Sequence, residues 1–111
     1  MFQKGDIVVV KFPFADAEEY KKRPALVISN HKVNKTGDYL MAQITSKDKK
    51  DVLSLAINMV DYTDNKALPL KSFIRLHKIF LINKSLIITK VTSVKHEFLE
   101  KVTNKIIELI K

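Results

Sequence analysis

The hydrophobic pattern of this chain changes period once. Between residues 7 and 92 the apolar positions come in short runs rich in β-branched and aromatic side chains, broken by turn residues. After Ser93 they recur as Leu99, Val102, Ile106 and Leu109, flanked by Phe98 and Ile110. The first pattern is that of strands and the second that of one amphipathic helix, with Ser93 as its expected N-cap. Successive short strands joined by turns suggest a barrel or sandwich, not βαβ units, which would need helical stretches between the strands. The chain therefore reads as mainly β, a single domain over residues 1–111 with a C-terminal helix lying on the sheet.

The strands can be placed. Gly5-Asp6 is a turn leading into a strand over 7–14, with Pro13 putting its end at an edge or bulge. Residues 15–22 are polar and charged, a loop. The apolar run 24–29 reads as a strand buried on both faces. A turn around Gly37 leads to a strand over 39–46, and residues 47–51 form an exposed charged turn. Leu53, Leu55 and Ile57 alternate on a half-buried strand over 52–57. Residues 61–66 are loop, and Pro69 ends a short apolar patch. Further strands are expected over 72–76 and 85–92.

Charge narrows the partners. The chain carries 20 Lys and Arg against 12 Asp and Glu, a formal net charge of +8. Such an excess favours polyanions or an acidic protein partner, without telling RNA from DNA, and lysine excess also serves solubility. There is no Cys, which excludes a disulfide framework, a thiol nucleophile and a zinc–thiolate site, and fits a reducing cytoplasm. No apolar run approaches a membrane span, and the residues after Met1 do not read as a signal peptide.

Of the 20 basic residues, 18 are Lys and only two are Arg, Arg23 and Arg75. A guanidinium grips phosphate or carboxylate with a planar fork that lysine lacks, so both are candidates for oxyanion recognition; codon bias in a lysine-rich chain is the competing reading. Thr45 and Ser46 put two hydroxyls at a strand end, able to donate to a phosphate oxygen or simply to face solvent. If the second and third strands pair, Arg23 and Thr45 become neighbours. Two glycines allow no phosphate-binding glycine loop. His31, His77 and His96 lack the spacing of a helix-borne metal site, so no metal and no cofactor is expected. His31 and His77 are surface residues or site residues; His96 reads as structural or solvated.

Taken together, the run 5–14, the segment Lys22-Arg23-Pro24-Ala25-Leu26-Val27-Ile28-Ser29, the segment Ala42-Gln43-Ile44-Thr45-Ser46 and the later run 73–87 resemble the MazF/PemK family of toxin endoribonucleases. The resemblance covers nearly the whole chain. It implies an SH3-like antiparallel barrel closed by a helix, usually a two-fold homodimer. It also implies metal-independent cleavage of single-stranded RNA with a short sequence preference, blocked by an acidic antitoxin segment lying in the RNA groove. Carried over, the family's catalytic arginine and threonine fall on Arg23 and Thr45. Ser46, Lys22, Lys47, Lys49, Lys50, Arg75 and His77 are the expected RNA contacts, and His31 and His77 the candidate bases. The family's first loop often bears glycine; here residues 15–20 have none and carry Asp16, Glu18 and Glu19. Where many longer members have an arginine after an isoleucine, this chain has Ile79-Phe80. Two alternatives stand beside this reading: a gyrase-poisoning toxin of the same fold, disfavoured because the chain has no Trp, and a non-catalytic RNA- or protein-binding barrel.

Overall fold

The computed structural model describes residues 1–12 and 21–111. Pro13 and the greater part of the expected 15–22 loop lie outside them. Six strands, β1 (Asp6–Phe12), β2 (Lys21–Val27), β3 (Asp38–Thr45), β4 (Ser54–Ile57), β5 (Ser72–Asn83) and β6 (Ile87–Ser93), form one antiparallel sheet in the order β4-β5-β3-β2-β1-β6. A single turn of helix, α1 (His31–Asn34), and the long α2 (His96–Ile110) complete it, with short 3₁₀ turns over Met59–Asp61, Thr63–Asn65 and Lys84–Leu86.

Period-2 alternation divides the apolar residues between the two faces of the sheet. Ile7, Leu26, Ala42, Ile44 and Ile74 join Phe98, Leu99, Val102 and Ile106 of α2 in one core. Val8, Val10, Ala25, Val27, Met41 and Ile82 form a second on the opposite face. The expectation that the 24–29 run is buried on both faces holds at Ala25, Leu26 and Val27. Around the second core the sheet curls: Phe12 of β1 meets Phe80 of β5 edge-on, ring centroids 5.3 Å apart, although two strands separate them, and Phe2, Leu86 and Ile87 pack against it. Among the described residues no ladder joins β4 to β6, so the barrel is curled but not closed by pairing.

β5 makes the bend. Its second half pairs with the start of β3, from Asp38↔Asn83 to Ala42↔Ile79. The register then jumps to Ile44↔Ile74, and Ser72 to Arg75 pair with β4. A bulge of this kind sharpens local twist and redirects the strand.

Several boundaries differ from expectation. β5 runs to Asn83, not 76, because its continuation carries exposed Ile79, Phe80 and Leu81 instead of an alternating pattern. β4 begins at Ser54, and Val52 is 90% exposed. Lys21 and Lys22, read as loop, open β2 by pairing with Phe12 and Lys11. β2 ends at Val27, since Ser29 turns inward: its hydroxyl donates to Asn34 Oδ1 and accepts from the Leu40 amide at 2.9 Å. α1, absent from the expected elements, is capped by Asn30, whose side chain accepts from the Lys32 amide. Ser93 does not cap α2; it ends β6 with its hydroxyl 2.6 Å from that of Thr63, and Lys95 precedes the helix without a side-chain cap.

Candidate active site

Pro24 decides where the site opens. Proline brings no N–H to a ladder, and β2–β3 pairing ends one residue away, at Ala25↔Gln43. Continuing that register places Arg23 opposite Thr45, on strands no longer zipped together. The gap is a cleft of about 220 Å³, walled by Lys22, Arg23 and Pro24 on one side, Ile44, Thr45 and Ser46 on another, and residues 68–70 with Ser72 on the third. Pairing with β1, Val10↔Arg23 and Lys11↔Lys22, holds the arginine's backbone in place.

Arg23 is half-buried, and among the described residues neither it nor Lys22 has an ion pair or side-chain hydrogen bond. A guanidinium kept partly from water with no carboxylate partner is available to an incoming anion. Thr45 Oγ1 accepts from the Lys47 amide at 3.1 Å, which fixes its rotamer and leaves its hydroxyl proton to donate elsewhere. Lys47, Lys49 and Lys50 are exposed on the turn leaving β3, shaped by the Asp48 carboxylate accepting from the Lys50 amide at 2.9 Å.

The structure thus brings together Arg23, Thr45, Ser46 and Lys22, with Lys47, Lys49 and Lys50 on the adjoining turn. It does not bring Arg75, His77 or His31 to the cleft lining. Arg75, expected to touch RNA, is 7% exposed and given to the protein itself: Nη1 donates to Asp51 and, at 2.5 Å, to Ser54 Oγ, while its buried Nε has no partner among the described residues. His77 is exposed on β5, and His31 lies on α1 beside a separate groove formed with residues 1–4. The sequence reading missed the third wall. Its signal was the run Ala67-Leu68-Pro69-Leu70, apolar but fitting neither strand nor helix period. Among the described residues no group of three or more His, Cys, Asp or Glu side chains could hold a metal ion, and no helix is long and apolar enough to cross a membrane.

The fold and this cleft define a small curled-sheet protein with an anion-ready site at a strand end. The sequence profile described as PemK-like, MazF-like toxin of type II toxin–antitoxin system matches residues 3–110, and the chain belongs to that family. It superposes on MazF from Deinococcus radiodurans with a TM-score of 0.77 at 21% identity, covering 97% of this chain and 94% of that one. The MazE–MazF complex from the same organism gives 0.78 at 21%, with the same coverage. A mycobacterial endoribonuclease in complex with its cognate antitoxin gives 0.78 at 16%, covering 97% of this chain and 93% of that one. At such identities the likeness is one of fold. No curated protein sequence matches significantly.

Proposed function

We propose that this toxin-family chain is an endoribonuclease that cuts single-stranded mRNA in the cytoplasm without a metal ion. The observation that carries the reading is the cleft in which Arg23, free of protein anions among the described residues, stands across from Thr45 and Ser46. RNA holds its own nucleophile. The 2′-oxygen attacks the adjacent phosphorus, the bond to the 5′-oxygen breaks, and the products are a 2′,3′-cyclic phosphate and a 5′-hydroxyl. Negative charge gathers on the non-bridging oxygens in the transition state. Arg23 donates to them in a fork and the Thr45 and Ser46 hydroxyls hold the same group, which is the preorganised stabilisation that lowers such barriers. An arginine remains protonated and makes a poor base; it stabilises the departing 5′-oxygen by charge and hydrogen bonding, and water supplies the proton that completes the 5′-hydroxyl. The 2′-OH proton goes to a group outside the described lining, which contains no histidine or carboxylate.

Lys22, Lys47, Lys49 and Lys50 follow the backbone by charge. An A-form duplex withholds both the in-line 2′-OH and the splayed bases, so single strands are the substrate. The net charge of +8 suits inhibition by an acidic antitoxin segment competing for the same surface. A homodimer is also proposed. Among the described residues, residues 79–83 of β5 pair with β3 on one side only, β4 reaching just to Arg75, and that edge exposes Leu81 at 60%.

The deciding experiment incubates the purified protein with a long RNA in EDTA and maps the ends. Cleavage in single-stranded regions with cyclic phosphate and 5′-hydroxyl termini is expected. Activity abolished by EDTA, or 5′-phosphate ends, would refute the mechanism.

A further inference from the structure

Residues 67–70 are apolar and tied down at both ends, with Leu68 half-buried against the core and Ala67, Pro69 and Leu70 exposed. The Lys66 carbonyl accepts from Thr92 Oγ1 at 2.5 Å, the Leu70 carbonyl from Ser72 Oγ at 2.8 Å, and Lys71 Nζ donates to Asn58 Oδ1 at 2.6 Å. From beneath, Tyr62 is 2% exposed; burial raises its phenol pKa although hydrogen bonding with the Leu68 backbone and the Ser72 hydroxyl works the other way. Yet Leu70 is 65% exposed. The segment is a ledge between two hollows: the cleft of Arg23 and Thr45, and a second of about 310 Å³ floored by Ile57, Met59 and Tyr62. Leaving a large apolar side chain in water forgoes its burial energy.

We propose that Leu70, with Pro69, is a specificity-determining contact that receives the face of the nucleobase next to the phosphate held by Arg23. The inference rests on reading the cleft as an RNA site. A phosphate between Arg23 and Thr45 carries its base one sugar away, which reaches the facing wall of so small a cleft. Bases in single strands expose apolar faces that seek a flat partner. The ledge is already fixed, so little ordering entropy is lost when a base lands on it. Because packing against a face is less selective than edge hydrogen bonds, this contact discriminates by base size.

The test uses an all-deoxy oligonucleotide, which lacks the 2′-OH and cannot be cut, and a set of copies each with one abasic position. Affinities are read by fluorescence anisotropy. The unaltered protein loses about fivefold at one abasic position, the low end for a base-stacking contact. In Leu70→Ser that penalty disappears, in Leu70→Phe it grows, and in Ile110→Ser, an exposed change on α2, it stays. Indifference of the unaltered protein to every abasic position overturns the proposal. So does the full penalty persisting in Leu70→Ser, which would leave the ledge to a peptide. The expected pattern without any RNA cleavage would sink the ribonuclease reading and leave this contact standing; cleavage without the pattern does the reverse.

Discussion

Arg75 and Asp51 lie 24 residues apart in sequence and are joined by Nη1, which donates to Oδ1 at 3.1 Å and Oδ2 at 3.3 Å. The pair ties the lysine-bearing turn after β3 to β5, reinforced by the Leu76 amide donating to the Leu53 carbonyl at 2.9 Å. Desolvation pushes the Asp51 carboxyl up. Hydrogen bonds from Arg75, the Leu53 amide and Ser54, with the charge of Arg75, outweigh it and hold the pKa below its ordinary 3.8. A folded-state pKa below the unfolded one gives stability that is complete above the unfolded value and is lost as pH falls through the folded one. Thermal melts should therefore show the unaltered protein more stable than Asp51→Asn at pH 6, with the gap closing as pH falls below the ordinary carboxyl value of 3.8. A gap that does not narrow on acidification would show that the carboxylate's charge does not matter.

Arg23→Lys keeps the charge and removes the fork. Single-turnover cleavage should fall about 100- to 1,000-fold, the range for losing a transition-state donor, while binding to an uncleavable 2′-deoxy strand falls much less. Thr45→Val, nearly isosteric, should cost about tenfold or more, as for a hydrogen bond to a charged group. Lys21→Arg should change little. Near-normal cleavage by folded Arg23→Lys would remove Arg23 from the chemistry.

Leu81 offers the test of assembly. Sedimentation at micromolar concentration should show a dimer, and Leu81→Lys, a charge placed on the free edge of β5, should give monomer with an unchanged circular dichroism spectrum. A monomer before any substitution would defeat the proposed interface.

Gly5 should not tolerate a side chain. Its φ is +97°, and an added Cβ would meet Leu99 Cδ2 at 3.2 Å. Its amide donates to the Val27 carbonyl and its carbonyl accepts from the Val94 amide, so the end of β2, the residue following β6 and α2 converge there. Gly5→Ala should cost about 1–2 kcal/mol in urea unfolding; an unchanged midpoint would show that the turn relaxes freely.

Local pattern carried much of this fold. The period change that marks α2, the doubly buried Ala25-Leu26-Val27 and the neighbourhood of Arg23 and Thr45 all follow from spacing plus one assumption, that β2 pairs with β3. Other features depend on partners far along the chain. Arg75 does hold an oxyanion, through Nη1, but that oxyanion is Asp51, and nothing in either segment announces the pairing. The full length of β5 is hidden because Ile79, Phe80 and Leu81 break alternation, all three exposed along an edge that no described strand covers. Ser93 has the composition of a cap, yet Thr63 bonds it first. The ledge at Leu70 shows in the sequence only as a short apolar patch, because it has no secondary structure to generate a period.

The double allegiance of β5 bears on the order in which the molecule is made. Arg23 and Thr45 are both present by residue 45, but the end of β3 is held by Phe73 and Ile74, its start by Asn83, and β1 by β6 through contacts such as Ile7↔Thr92. These are contacts between distant parts of the sequence, which form late and slowly. A chain still being synthesised therefore exposes Arg23 and Thr45 long before it can arrange them, so on the proposed mechanism translation finishes the protein before the cleft exists.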